Sequence, residues 1–183
     1  MLASLAKRRL QAFGREWNYD TTYMQEILDA GGLEALSAVA DLQKISNYRR
    51  DVPAAPYAAA KLTSARAGDC GPCLQLGVTM AERAGVDPAI VRAVLARDTA
   101  AMPDDVRLAC AFAAATLARD PAGDELREEI VKRWGKRGLI SLAYAIASVQ
   151  IYPTLKYALG HGHACQRVRV AGAEMPVPEL QHA

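Results

Sequence analysis

The residues best suited to chemistry are two cysteines, Cys70 and Cys73, which enclose a Gly-Pro dipeptide. Pro72 has no backbone N–H and therefore fits the first turn of a helix, where that donor has no partner. This placement puts both cysteines on one helical face, roughly 5 to 6 Å apart, which is within the range of a disulfide. Because the helix N-terminus stabilises a thiolate, the motif predicts a redox-active pair, and we assign both cysteines as catalytic.

Two other interpretations of the pair stay open. The first is a zinc site completed by His161, His163 and Cys165, far along the chain, although structural zinc usually shows a second compact pair of ligands. The second is that Cys70 and Cys73 are packing residues in an alanine-rich helix. We expect no metal and no other cofactor.

The segments around the cysteines do not fit a thioredoxin, which needs a buried strand before its cysteines. Apolar residues recur at helical spacing in segment after segment, including residues 57–68 directly before the motif. The sequence therefore predicts an all-α fold, a single-domain helical bundle of about seven or eight helices. We expect a helical extension over residues 1–30, the main domain over 31–162 and a tail over 163–183.

Several local signals predict where the helices begin and end. Thr22 and Gln25 have the spacing of a capping box, and Gly31-Gly32 predicts a stop. Asp87-Pro88 predicts an N-cap followed by a first-turn proline. A short amphipathic helix is predicted from Leu126, Ile130 and Trp134. A long apolar helix is predicted after it from Leu139, Leu142, Ile146 and Val149. In the tail, Val168 and Val170 allow a short extended piece, and Cys110 is predicted to be a core residue.

Composition and charge restrict the function classes. The formal net charge of +2 does not favour a nucleic-acid binder, whose basic surface normally dominates its composition. The first residues have apolar side chains before the basic ones, which is the reverse of a secretory signal, so we expect a cytoplasmic protein. Segment 138–160 is long enough to cross a bilayer, but Gln150, Pro153 and Lys156 interrupt it. We expect a buried helix of a homo-oligomer and no membrane association.

Two stretches carry a resemblance to a known family. The first contains a cysteine pair at a helix start and then a Gly-Val-Asp-Pro break, and it reads DCGPCLQLGVTMAERAGVDPAIVRAVL. The second follows it and reads LACAFAAATLARDPAGDELREEIVKRWGKRGLISLAYAIASVQIYPTLKYALG. Over roughly residues 30 to 160 the chain resembles the carboxymuconolactone decarboxylase and alkylhydroperoxidase-D family. The resemblance implies helical subunits in trimers or hexamers that reduce peroxides or disulfides, with a thiol protein as a possible reductant. In its peroxidase branch it implies that Cys73 attacks peroxide and that Cys70 resolves the resulting sulfenic acid as a disulfide.

The chain departs from the family pattern at two positions. The peroxidases of the family have a glutamate twelve residues before the first cysteine and a histidine four after the second; this chain has Ala58 and Gly77 there. Those groups form the proton relay that activates the attacking cysteine. The candidate substitutes for these groups are His161, His163, Lys61, Gln75 and a neighbouring subunit. We therefore expect a thiol-dependent oxidoreductase that is a poor hydroperoxidase. The alternative is a non-enzymatic or redox-sensing helical oligomer.

Overall fold

The computed structural model describes residues 2–163 and 167–177. The helices in this part of the chain are α1 Leu2–Trp17, α2 Thr22–Ser46, α3 Ala54–Ala67, α4 Gly71–Arg83, α5 Pro88–Ala96, α6 Asp104–Ala118 and α7 Gly123–Ala158, with a 3₁₀ turn at Thr99–Ala101. Two short strands follow, β1 Arg167–Val170 and β2 Ala173–Pro176. The prediction of an all-α, single-domain bundle is confirmed.

Helix α3 lies at the centre of the bundle and packs against α4, α5, α6 and α7. Its side chains are buried on more than one face, as expected for a helix without a solvent-facing side. One core cluster includes Leu62 and Ala65 of α3 with residues of α4, α5 and β1. The other includes Tyr57 and Ala60 with residues of α6 and α7. α3 therefore positions side chains toward both halves of the core.

Small side chains allow the second cluster to form. Ala60 of α3, Ala109 and Ala113 of α6 and Ala145 of α7 are all fully buried. Alanine combines high helix propensity with little bulk, so three helix backbones pack closely at these positions. The alanine-rich composition is thus the source of the close helix packing.

The local signals had mixed outcomes. The cap at Asp87 is confirmed, since its side chain accepts a hydrogen bond from the backbone N–H of Ala89 at 2.7 Å. The capping box at Thr22 and Gln25 is wrong. There, Asp20 accepts hydrogen bonds from the backbone N–H and the hydroxyl of Thr22, at 2.9 and 2.6 Å. Asp20, two residues before Thr22, thus supplies the side-chain capping at the start of α2 that was expected from the capping box.

Two predicted breaks are kinks within longer helices. Gly32 bends α2 with φ 69° and ψ −168°, and Gly135 bends α7 with φ 67° and ψ 179°. Glycine takes positive φ at little cost, so the chain changes direction in one residue without a loop. The expected short helix at Leu126 and long helix at Leu139 are therefore the two arms of α7.

The tail contains more structure than expected. Arg167 pairs with Pro176 and Val170 with Ala173 in an antiparallel hairpin, which joins β1 to β2. Val168 and Val170 are almost fully buried in the first core cluster. The predicted extended piece is confirmed as β1, and its partner strand β2 was not predicted.

Helix α7 is long and apolar enough to cross a membrane by length and composition alone, a test that core helices also pass. Its buried residues include Leu142, Ala145 and Ile146, which pack in the second core cluster. Its exposed face includes Ile140 and Tyr144. The absence of membrane association stays a prediction.

Candidate functional site

The cysteine pair lies at the start of α4. Cys70 is the N-cap residue with extended backbone angles, and Pro72 falls in the first turn, as its missing N–H predicts. Cys70 and Cys73 are paired as a disulfide, with their Cα atoms 5.2 Å apart. The predicted juxtaposition of the two sulfurs is present. The backbone N–H of Gly71 donates a 3.0 Å hydrogen bond to the carbonyl of His163, which ties the first turn to the end of the helical bundle.

The two cysteines differ in exposure. Cys70 is fully buried, with 0% of its surface exposed, whereas Cys73 is partly exposed. Cys73 lines a cavity of about 70 Å³, here called the Cys73 cavity. An outside molecule can therefore approach the pair through Cys73, while Cys70 lies behind it. This is the asymmetry that an attacking and a resolving thiol require.

Lys61 of α3 lines the same cavity. Its Nζ donates hydrogen bonds to the carbonyl and the hydroxyl of Ser46, at 3.1 and 2.9 Å, and lies 5.6 Å from the centre of the Tyr57 ring. Burial lowers the pKa of Lys61 to about 8. Near neutral pH the ammonium form still predominates, so the residues that line the cavity include a cation. The pKa of Lys61 lies near physiological pH, which suits a group that exchanges protons.

Three tyrosines also line this cavity: Tyr19, Tyr23 and Tyr152. The rings of Tyr19 and Tyr23 meet edge to face, with centroids 6.4 Å apart. Burial raises the pKa of both hydroxyls, so they stay protonated and do not act as bases at physiological pH. The wall is therefore apolar with neutral hydroxyls.

Lys156 of α7 lies behind these tyrosines, with its Nζ 4.9 and 5.1 Å from the ring centres of Tyr19 and Tyr23. It is 1% exposed, and its Nζ has no hydrogen-bond partner among residues 2–163 and 167–177. Burial lowers the pKa of Lys156, and Asp20 partly opposes this. The two ring faces thus supply the stabilisation that a buried cation needs.

The two relay positions lie differently with respect to the site. Gly77 lines the Cys73 cavity, whereas Ala58 packs against the first core cluster. A Cβ atom on Gly77 would lie 3.3 Å from Cδ2 of Leu62, a residue that is 2% exposed. The close approach of α3 explains why a small residue is present at position 77.

Of the proposed substitutes within this chain, Lys61 is the one that lines the Cys73 cavity. His161 Nε2 lies 2.6 Å from Glu26 Oε2, so its ring is already paired. The Gln75 amide exchanges two hydrogen bonds with the backbone of Arg169 in β1, at 3.0 and 2.7 Å. The side chain of His163 is exposed, and its carbonyl accepts the hydrogen bond from Gly71 of α4.

The zinc interpretation gains no support from the described part of the chain, which contains no group of three or more His, Cys, Asp or Glu side chains able to hold a metal. Cys165, one of its candidate ligands, lies outside the described residues. Cys110 is a free thiol that packs against the first core cluster, as predicted, and burial raises its pKa. A protonated thiol is a weak nucleophile, so Cys110 is poorly suited to redox chemistry.

The sequence reading missed the tyrosines and Lys156. The tyrosines are scattered along the chain, but three of them meet at one cavity. Lys156 was noted only as an interruption of an apolar segment. A lysine inside such a segment is itself a signal, because a buried cation needs a specific partner.

In comparisons with family models, curated proteins and solved structures, the chain has no significant match.

Proposed function

We propose that this protein is a thiol-dependent oxidoreductase of the carboxymuconolactone decarboxylase and alkylhydroperoxidase-D kind, in which Cys73 attacks and Cys70 resolves. The observation that carries the proposal is the unequal exposure of the paired cysteines. Cys73 lines a cavity, and Cys70 has 0% of its surface exposed. A structural disulfide has no need of such an opening, whereas an exchanging one does.

The reaction starts with both cysteines reduced. The Cys73 thiolate attacks one sulfur of a substrate disulfide, which releases the other sulfur as a thiol after it takes up a proton. Cys70, as a thiolate, then attacks the Cys73 sulfur of the mixed disulfide, releases the second substrate thiol and forms the Cys70–Cys73 bond. An external dithiol returns the two electrons and restores both thiols.

Lys61 assists by its charge. Its ammonium group lines the cavity that contains Cys73 and lowers the free energy of the thiolate there. With Ala58 and Gly77 at the relay positions, no carboxylate–imidazole pair activates a peroxide reaction. A positioned general base contributes about 10²–10⁴-fold, so disulfide exchange is expected to exceed peroxide reduction.

The proposal is tested by measuring whether the protein catalyses repeated reduction of a substrate. The protein is incubated with a dithiol reductant and a small disulfide or hydrogen peroxide, and consumption of each is followed. Cys73→Ser is expected to abolish turnover, and Cys110→Ser, which changes the thiol packed in the core, is expected to retain it. Equal rates for wild type and Cys73→Ser would refute the proposal.

The second candidate is a redox sensor without turnover. It is favoured by the hydrogen bond from Gly71 to the carbonyl of His163, which couples the first turn of α4 to the segment leading to β1. A sensor is expected to react once per chain, with a change in protection of the hairpin amides and no catalytic cycle. Hydrogen exchange on the reduced and oxidised protein distinguishes it from an enzyme.

We further propose a cytoplasmic homo-oligomer, a trimer or a hexamer, assembled through α7. The supporting feature is an exposed stripe on this helix that contains Ile140, Tyr144 and Ile151, each about two-fifths exposed. Their spacing puts them on one side of the helix, where a second copy would bury them. A thiol protein is the proposed reductant.

A further inference from the structure

Another cavity lies among α3, α5 and α6. Its volume is about 460 Å³, within the range of small-molecule sites, about 300–1,000 Å³. None of the residues that line it also lines the Cys73 cavity, so the cysteine chemistry does not account for it. Three arginines line it, Arg66, Arg97 and Arg107, and it is here called the arginine cavity.

Arg66, in the last turn of α3, is the most buried of the three arginines. It is 7% exposed, and its Nη1 donates a 3.2 Å hydrogen bond to the carbonyl of Leu95 in α5. Burial of a charged side chain costs free energy, and a specific arrangement has to offset that cost. The hydrogen bond to Leu95 holds the guanidinium in place, so a ligand does not have to order it on binding.

The other two arginines are exposed. Arg97 is the left-handed residue that ends α5, and it makes no ion pair with the other residues that the structure describes. Arg107 of α6 pairs with Asp104 at 2.7 Å, which offsets part of its charge. Asp104 does not line the cavity, and none of the described residues that do is acidic. The lining therefore carries three positive charges and no negative one, which favours a ligand with more than one negative charge.

The remaining wall suits a ligand that also has an apolar part. Thr63 and Thr99 supply hydroxyl groups, while Val94, Met102 and Leu117 supply aliphatic surface. A phosphate monoester carries a charge of about −1.5 to −2 near pH 7, and its oxygens accept paired hydrogen bonds from guanidinium groups. A carboxylate carries a single charge. Charge and lining together therefore favour a phosphate attached to an apolar group.

We propose that the arginine cavity binds a small organic phosphate monoester, with its phosphate at Arg66, Arg97 and Arg107 and its apolar part against the aliphatic wall. This binding site is separate from the cysteine pair and goes beyond the proposed function, since binding requires no redox reaction. Cys110 also lines the cavity and is half-buried, with a free thiol. Its accessibility to a thiol reagent therefore reports whether the cavity is occupied.

Binding is measured by calorimetry on the intact protein with phenyl phosphate, inorganic phosphate and benzoate. Phenyl phosphate is expected to bind at least about ten-fold more tightly than inorganic phosphate, because its ring buries apolar surface. It is expected to bind at least about ten-fold more tightly than benzoate, because its second charge strengthens the hydrogen bonds from the arginines. Equal affinity for phenyl phosphate and either of the other two ligands would overturn the proposal.

A second measurement locates the ligand. In the reduced protein, phenyl phosphate is expected to slow alkylation of Cys110 by N-ethylmaleimide and to leave the rate at Cys73 unchanged, as followed by peptide mass spectrometry. Any other pattern of protection would overturn the location. Cys73→Ser is expected to abolish the proposed turnover and to bind phenyl phosphate as tightly as the wild type, so the binding site and the proposed function are tested separately.

Matched variants identify the side chains that bind. Arg97→Gln and Arg107→Gln are each expected to weaken phenyl phosphate binding about ten-fold, whereas Arg92→Gln, at an exposed site of α5 outside the lining, leaves it unchanged. Ala114 of α6 is exposed and lines the cavity, and Thr116 is exposed on the same helix but does not. Ala114→Trp is expected to weaken binding at least about ten-fold, because its ring displaces the apolar part of the ligand, and Thr116→Trp is not.

Two results with these variants would overturn the site. One is an unchanged affinity in either Arg97→Gln or Arg107→Gln, and the other is an equal affinity in Ala114→Trp and Thr116→Trp. A shift of Ala114→Trp to smaller oligomers in sedimentation would assign the cavity to a contact between copies of the chain and would overturn the proposal as well.

Discussion

Lys61 of α3 and Cys73 of α4 line the same cavity, although they belong to different helices and Lys61 precedes Cys73 by twelve positions. Burial lowers the pKa of Lys61 to about 8, so this cavity changes its charge near physiological pH. His161 and His163 are the other titratable side chains proposed as relay substitutes, and neither is among the described residues that line the cavity. The pair is the basis of the first two predictions.

Replacing Lys61 with Met is expected to slow alkylation of Cys73 in the reduced Cys70→Ser variant by about ten-fold at pH 7, because a nearby positive charge favours the thiolate. The ammonium is lost as pH rises through about 8, so the rates with and without Lys61 should converge above that pH. The measurement is the rate of iodoacetamide labelling against pH. Lys132→Met, at an exposed site on α7, is the control. A constant ratio of the two rates at all pH values would contradict the prediction.

The same lysine affects stability. Its pKa is about 8 in the folded protein and near 10.5 when unperturbed, so between these values the unfolded chain binds more protons. The free energy of unfolding of the wild type should therefore rise with pH relative to Lys61→Met, by up to about 3 kcal/mol in total. Urea unfolding at pH 7.5 and 9.5 measures this. Lys132→Met should show the same pH dependence as the wild type. A free energy of unfolding that falls with pH, relative to Lys61→Met, would contradict the prediction.

Restoring the glutamate and histidine of the relay is expected to require more space between α3 and α4. The double variant Ala58→Glu with Gly77→His should be destabilised by about 1–3 kcal/mol, because a side chain at position 77 meets Cδ2 of Leu62. Adding Leu62→Val should recover part of this loss. Once folded, the triple variant should reduce hydrogen peroxide about 10²-fold faster than Leu62→Val alone. Thermal unfolding is measured beside the rate.

The matched control for the relay is the triple variant with Ala58→Gln in place of Ala58→Glu. Glutamine has the size of glutamate but no carboxylate. Its peroxidase rate should stay at the background level. A folded Ala58→Glu variant with an unchanged rate would mean that the missing relay does not limit peroxide reduction. Rapid peroxide reduction by the wild type would mean that another group already acts as the base.

The cysteines are expected to react in a fixed pattern. Mild oxidation should link Cys70 to Cys73 and leave Cys110 reduced, because the first two are paired and burial raises the pKa of the third. After reduction, Cys73 should be alkylated faster than Cys70, which is fully buried. Peptide mass spectrometry gives both results. A dominant link to Cys165, or one zinc ion per chain, would refute the pairing.

Assembly is predicted to depend on α7. Ile140→Glu and Tyr144→Glu each place a charge in the exposed apolar stripe and should reduce the oligomer to smaller species, since a buried unpaired charge is costly. Lys132→Glu, an exposed site on the other arm of the same helix, should leave the oligomer intact. Sedimentation velocity without detergent measures the species. A monomeric wild type would contradict the proposed oligomer.

The sequence by itself determined the features that depend on neighbouring residues. The helical period, the cap at Asp87 and the first-turn position of Pro72 follow from local hydrogen bonding and backbone restriction. The i, i+3 spacing of Cys70 and Cys73 similarly places both sulfurs within bonding reach. These interactions are completed within a few residues, so local chain geometry is enough to predict them.

Only the tertiary structure decided which groups meet. Gly32 was expected to end a helix, but its flanking segments continue as the two arms of α2, which no local pattern distinguishes from a stop. The exposure of Cys73, the position of Lys61 and the packing of Lys156 on Tyr19 and Tyr23 depend on helices far apart in the chain. Burial and electrostatic interaction are set by those long-range contacts, and for this reason the environment of the cysteines is not fixed by their motif.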